Sequence, residues 1–218
     1  SAVGHAITVI NPLRVKEIRE SDFSGFGIFG TPADCVKLAT GNLLDTRPDM
    51  VVSGINAGAN VGPDIMYSGT VAAAREASSL GFPALAVSYD AFRFTDLEEE
   101  ARFAVRVLDD IPWQKVPERR VMNLNLPAIP LAEYKGLSLC PQTAVAWNDW
   151  YNERTDPRGV PYWWLEGEIP AAKVAPGTDR ARLTDGWATL TPLLFDFTDQ
   201  ETLDSLGALP DFVAKFQN

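Results

Sequence analysis

Apolar and polar positions along the chain follow two periods, and the change between them organises residues 50–88. An apolar run at residues 50–53 predicts a strand. Small residues follow: Ser53, Gly54, Asn56, Gly58, Asn60 and Gly62 predict a loop through which the backbone can approach a ligand closely. Ser68-Gly69-Thr70 then opens a helix that runs from Val71 to about Leu80. Gly81 stops it, and Pro83 leads into a strand over residues 84–88.

The same reading extends along the chain. Residues 6–15 alternate weakly and predict a strand broken at Pro12, and residues 26–29 predict a second. Thr31 suits a helix N-cap, with Pro32 at the first helical position and Asp34 at the third. That helix carries Cys35, Val36, Leu38, Leu43 and Leu44 on its buried side. Thr95 and Glu98 read as a capping box for the next helix, whose stripe is Ala101, Phe103, Ala104, Val107 and Leu108. Residues 121–126 alternate as a strand ending at Pro127. Strands alternating with helices predict an α/β fold over residues 1–127: a Rossmann-like, mostly parallel sheet with helices on both faces.

From Tyr134 the pattern changes. Residues 136–142, 162–167 and 186–197 are strand-like and separated by polar turns, and residues 201–209 predict a final helix. Residues 128–218 therefore read as a β-hairpin-rich appendage. Trp147, Trp150, Tyr151, Trp163 and Trp164 concentrate there, suited to packing, to a subunit interface or to stacking on a base.

Composition narrows the function. The net charge of −10 disfavours binding of a nucleic-acid polymer by the whole surface. No apolar run reaches the roughly 18 residues that span a bilayer, so no membrane partner is expected. Two cysteines, Cys35 and Cys140, make no disulfide framework, and a cytoplasmic setting is the default. The sequence starts at Ser1 without a Met, and an N-terminal segment is expected to precede it. His5 is the only histidine, which excludes a His/Cys zinc site within these residues and reads as structural. Glu98-Glu99-Glu100 reads as a solvated first helical turn.

The chemistry gathers at the central stretch. A polar loop at the carboxyl end of a strand, followed by a helix start rich in hydroxyls, is where open α/β sheets bind anions. S-G-I-N-x-G-x-N-x-G-x-D followed by Y-S-G-T-V-A-A-A resembles the signature of the SurE family of metal-dependent nucleoside-monophosphate phosphatases. G-T-P-x-D-C at residues 30–35, D-P-R-G-x-P-Y-W-W, and G-T-D with D-G-W-A-T-L-T-P-L extend the resemblance over nearly the whole chain.

The resemblance implies one divalent ion per subunit, Mg²⁺ or Mn²⁺, with Ser1 and Asn56 among its ligands. It implies catalytic roles for Asn60, Ser68 and Thr70, and substrate contacts for Gly69, Gly58 and Thr31. Two aspartate ligands in an N-D-D-G motif are absent; only Asp109-Asp110, at a helix end, pairs aspartates, and the ligands are expected upstream. The implied reaction hydrolyses nucleoside 5′- and 3′-monophosphates to nucleoside and phosphate, with short polyphosphate a further substrate. The implied assembly is a homodimer or homotetramer joined partly through the appendage. A non-catalytic nucleotide-binding protein is the alternative if the aspartate pair is truly missing.

Overall fold

The computed structural model describes residues 2–93, 96–209 and 215. An antiparallel hairpin comes first, β1 (Arg14–Arg19) and β2 (Ser24–Phe29). The strand expected over residues 6–15 is therefore displaced. Residues 6–13 have no strand partner, and Pro12 offers no N–H; Thr8 is instead held by Asp34, which accepts both its backbone N–H (2.9 Å) and its hydroxyl (2.6 Å).

Thr31 caps α1 (Pro32–Leu38), with Pro32 first and Asp34 third as expected; the Asp34 carboxylate also accepts the Thr31 N–H, which makes a capping box, and a wider turn over Ala39–Leu43 continues the helix. β3 (Val51–Ala57) runs further than its apolar residues predict. Ser53 to Ala57 continue the strand with a register shift, and the loop opens only at Gly58. Gly54 makes this possible: its φ is +133°, and a Cβ there would collide with the Val87 carbonyl oxygen.

After a 3₁₀ turn over Gly62–Tyr67, Ser68 caps α2 (Gly69–Ser79) by accepting the Val71 N–H. β4 (Ala84–Tyr89) follows, then α3 (Glu98–Asp110), β5 (Arg120–Leu126) and the short β6 (Leu137–Leu139). Thr95 lies outside the described residues. α3 begins at Glu98, whose N–H bonds the Asp96 carboxylate, so Glu98 opens the first turn rather than closing a box. A free-standing antiparallel hairpin, β7 (Asn148–Thr155) and β8 (Pro161–Glu168), precedes α4 (Asp179–Thr184), β9 (Ala188–Leu194) and α5 (Gln200–Gly207).

The central sheet has the order β3-β4-β5-β9-β6. β3, β4 and β5 are parallel, β9 runs antiparallel to β5, and β6 is parallel to β9. The sheet is thus mostly parallel, as expected, and strands from beyond residue 127 complete it. Side-chain alternation divides the core into two layers. Ala84, Ala86 and Val121 pack against Val71, Ala74 and Ala77 of α2. Leu85, Val87, Met122, Leu124 and Leu126 pack against Ala104, Val107 and Ile111. Helices therefore cover both faces. The alanine run of α2 lets that helix lie close to the sheet, so its N-terminus arrives beside the strand ends.

Candidate phosphate-binding site

Toward the carboxyl ends of β4 and β5, three polar residues interrupt otherwise apolar strands: Ser88, Asn123 and Asn125, each fully buried. They alternate with the apolar residues of the α3 layer and face the α2 side. All three meet Asn60. Its backbone N–H donates to Asn125 Oδ1 (2.7 Å), and its carbonyl accepts from Asn123 Nδ2 (2.8 Å) and Asn125 Nδ2 (3.1 Å). Its side-chain Nδ2 donates to Ser88 Oγ (2.7 Å), which leaves Oδ1 as the remaining acceptor. Asn123 Oδ1 is buried with no partner among the described residues.

Both ends of the loop are pinned as well. The Gly58 N–H donates to the Tyr89 and Ala91 carbonyls at 2.9 and 3.0 Å. The Gly62 N–H donates to Asp179 Oδ2 (2.9 Å), and Gln142 Nε2 donates to the Gly62 carbonyl (2.7 Å). Gly62 has φ +54°, and a Cβ there would stand 2.6 Å from Thr143 Cγ2. Asp179, fully buried, also accepts the Thr143 N–H (2.8 Å) and so ties α4 to the loop.

The start of α2 completes the group. Thr70 Oγ1 donates to Asn56 Oδ1 (3.2 Å), while Asn56 Nδ2 donates to the Gly58 carbonyl (2.7 Å). Asn56 is the strand partner of Ser88. A chain of contacts thus runs from Thr70 through Asn56 and Ser88 to Asn60. Ser68 Oγ accepts the Val71 N–H at 3.1 Å and keeps its own proton to donate. The N–H groups of Gly69 and Thr70, at the first two helical positions, have no carbonyl within the helix to bond. A Cβ on Gly69 would lie 2.9 Å from Pro32 Cγ, so the starts of α1 and α2 abut.

The structure brings Asn56, Gly58, Asn60, Ser68, Gly69 and Thr70 to one end of the sheet. Thr31 lies at the margin with both hydroxyl roles taken: it donates to the Ala6 carbonyl (2.6 Å) and accepts the Asp34 N–H (3.1 Å). Ser1 is outside the described residues, but Ala2 pairs with Ser68 and the Gly4 N–H bonds the Tyr67 carbonyl, so this segment runs beside the start of α2. His5 is structural, as its isolation suggested: its Nε2 lies 2.7 Å from Glu76, which also pairs with Lys37 at 2.9 Å. Burial raises the Glu76 pKa, but its bonds to Lys37 and His5 outweigh that and hold it below the usual range. Asp64 accepts the Trp147 indole N–H (2.6 Å), and burial pushes its pKa up.

The described residues alone do not fit a divalent ion. No group of three His, Cys, Asp or Glu among them could hold a metal. Asn56 offers one neutral oxygen that Thr70 already bonds.

Sequence reading missed Ser88, Asn123, Asn125 and Asp179. The first three carried a signal, a polar residue at a buried position of an apolar strand. Asp179 sits in the quoted G-T-D but carried no reason to be singled out.

An open α/β sheet with a rigid polar loop at its strand ends and a hydroxyl-bearing helix start beside it is the architecture of a phosphate-binding protein. Comparison with known proteins makes the family definite. The family model described as survival protein SurE matches residues 1–149. A protein named 5′-nucleotidase SurE from Nitratidesulfovibrio vulgaris (strain DSM 19637 / Miyazaki F) is 63% identical over 95% of this chain and 77% of its own length. One of the same name from Syntrophobacter fumaroxidans is 42% identical over 95% of this chain and 83% of its own. The crystal structure of the SurE protein from Aquifex aeolicus superposes with a TM-score of 0.81 at 35% identity, covering 96% of this chain and 84% of that one. The chain belongs to the SurE family.

Proposed function

We propose that this protein is a phosphoric monoester hydrolase of the SurE type, a 5′-nucleotidase that releases inorganic phosphate from nucleoside 5′-monophosphates. The observation that carries the reading is the fixed loop 58–62 facing the α2 start, in a chain whose relatives bear that name. In this reading the N–H groups of Gly69 and Thr70 and the Ser68 hydroxyl hold the phosphoryl oxygens, helped by the positive end of the α2 dipole. Asn60 Oδ1 accepts a hydrogen bond from the attacking water and aims its oxygen at phosphorus. The new P–O bond forms as the P–O5′ bond breaks, one proton of the water passes to O5′, and the nucleoside leaves as an alcohol with inorganic phosphate as the other product. Gly58 keeps the loop low enough for substrate to reach Asn60, and Thr31 braces the margin through Pro32.

A divalent ion, Mg²⁺ or Mn²⁺, belongs to this proposal as a requirement to be tested; when bound, such an ion neutralises phosphoryl charge and makes water more acidic. Hydrolysis of 3′-monophosphates and short polyphosphate belongs to the same reading. So does a homodimer or homotetramer: β7–β8 exposes Trp150, Tyr151, Trp163 and Trp164, and a lone two-stranded hairpin is marginal in water. Cys35 and Cys140 are free thiols, which supports a reducing, cytoplasmic setting. No helix among the described residues is long and apolar enough to cross a membrane.

Phosphate release from AMP, GMP, 3′-AMP and tripolyphosphate with Mn²⁺, repeated after EDTA, tests this. Release from 5′-monophosphates that chelation stops is expected. A folded protein that binds AMP by calorimetry yet releases no phosphate from any of the four would favour the non-catalytic nucleotide-binding reading.

A further inference from the structure

The apolar layer under α3 runs on past the helix to the edge of the sheet. Val107 and Ile111 of α3 cluster with Met122 of β5 and Leu190 of β9. The same face continues onto β6, where Leu139 is the strand partner of Leu190. Leu137 and Leu139 are exposed there, Leu139 by 72%. A groove of about 630 Å³ lies between α3 and this edge, with Val116 and Pro117 adding to its wall. Pockets of roughly 300–1,000 Å³ enclose small ligands.

The charge of the groove is opposite to that of the chain. Arg106, Lys115 and Arg120 line it against the single carboxylate of Asp110, in a protein whose net charge is −10. Among the described residues, none of the three cations has a carboxylate oxygen within 4.0 Å. Arg106 lies over the Phe103 ring at 5.6 Å, and Arg120 Nη1 donates to the Glu118 carbonyl at 3.1 Å. Both guanidinium groups are thus anchored without being neutralised. The rest of the lining is hydrocarbon, aromatic ring or thioether: no hydroxyl, amide or imidazole side chain faces the groove. A base or a sugar would find no neutral partner for its polar atoms. An aliphatic tail loses water against such a floor, and an anionic head meets cations that have no other carboxylate.

The groove stands apart from the phosphate site. It lies on the α3 face of the sheet, begins at Arg120 on the amino end of β5, and is lined by none of residues 56–70. Another cavity, of about 720 Å³, lies against Cys140, Leu193 and Phe197, but it carries no charged side chain and nothing there selects an occupant.

We infer that the groove between α3 and β6 binds one long-chain carboxylate, a fatty acid: its alkyl chain lies along Val107, Ile111, Met122, Leu190 and Leu139, and its carboxylate meets Arg106, Lys115 and Arg120. This site goes beyond the nucleotidase reading and does not depend on it, because the test reads binding alone.

Calorimetry with laurate, decanoate and dodecyltrimethylammonium, each below its micelle concentration, tests this in the wild type, in the double variant Arg106→Glu with Lys115→Glu, and in Leu139→Glu. All three substituted positions are exposed, and circular dichroism checks that each variant is folded. One laurate per chain is expected, held about tenfold more tightly than decanoate, which is two methylenes shorter. The double charge reversal and Leu139→Glu should each weaken laurate about tenfold. Dodecyltrimethylammonium, with a tail of the same length and the opposite charge, should bind at least tenfold more weakly than laurate. Equal binding of laurate and dodecyltrimethylammonium overturns the inference, as does laurate binding that neither variant weakens. No laurate binding by the wild type also overturns it. In that case a smaller sedimenting mass for Leu139→Glu gives the groove to a second copy of the chain, and flotation with phosphatidylglycerol vesicles gives it to a membrane.

Discussion

The loop at residues 58–62 and the β7–β8 hairpin answer the same physical demand in opposite ways. Both depart from the layered core, and both must satisfy their backbone. The loop borrows partners from β4, from β5 and from the start of α4, and Asn60 ends only 6% exposed. Among the described residues the hairpin strands pair only with each other, and Trp163 and Trp164 stay 55% and 57% exposed. A loop bonded at residues 58, 60 and 62 cannot drift, which is what positioning a reacting group requires. A hairpin with bare aromatics waits for another surface. In the proposed function, positioning and assembly therefore fall to two regions, and substitutions should separate them.

The largest effect is expected from Asn125→Leu. It strips the acceptor of the Asn60 N–H and one of the two donors to its carbonyl, leaving Asn123 alone to hold the Asn60 backbone. Urea denaturation should show a loss of about 3 kcal/mol for the buried groups left unpaired. Phosphate release from AMP should fall about a hundredfold as the loop shifts. Gly62→Ala comes next. Its φ of +54° and the 2.6 Å approach to Thr143 Cγ2 predict a cost of about 2 kcal/mol by the same denaturation. Ser68→Ala removes the α2 cap and a proposed phosphate donor at once. About 1 kcal/mol of stability should go, with a fall in kcat rather than in expression.

Acid probes the bonded half of the molecule in another way. Glu76 and Asp34 both have pKa values held down: for each, burial alone would raise the value, and bonds from Lys37 and His5 or from Thr8 and Thr31 more than reverse it. A depressed carboxyl contributes stability above its unfolded pKa and loses it as pH falls through the folded one. Melting temperature should therefore decline below about pH 4, and Glu76→Gln should flatten that decline. The smallest effect on folding is expected from the double substitution of Trp163 and Trp164 to Ser, within about 0.5 kcal/mol for an exposed position. Sedimentation should nevertheless show a smaller assembly. An unchanged mass, or a large loss of stability, would mean that the hairpin serves its own fold rather than a partner.

How much of this was legible in the sequence depends on the distance over which each feature acts. The glycines, the Ser68 cap and the Thr31 cap with Asp34 at the third helical position are local, and spacing revealed them. The Gly81 stop and Pro83 ahead of Ala84 to Ser88, and the alternation of Val121 to Leu126, revealed two of the parallel strands. The partners of Asn60 did not show, because Ser88 and Asn125 lie 28 and 65 residues away and gain meaning only once β4 and β5 stand side by side. β7 was invisible for a different reason. Every residue of NDWYNERT is exposed, so no buried face impressed a period of two on the sequence. β3 outran its apolar residues because Gly54 allowed a bend that a hydrophobic pattern does not record.

The most direct test of the central claim, that the fixed loop presents Asn60 for phosphate hydrolysis, is phosphate release from AMP with Mn²⁺ by the wild type and Asn60→Ala at equal folded concentration. The substitution leaves the backbone N–H and carbonyl of residue 60 with their partners, Asn123 and Asn125, so the loop keeps its place. Steady release by the wild type and a loss of about a hundredfold in the variant, at near-equal melting temperature, is the predicted result. Equal rates for the two proteins would contradict the account.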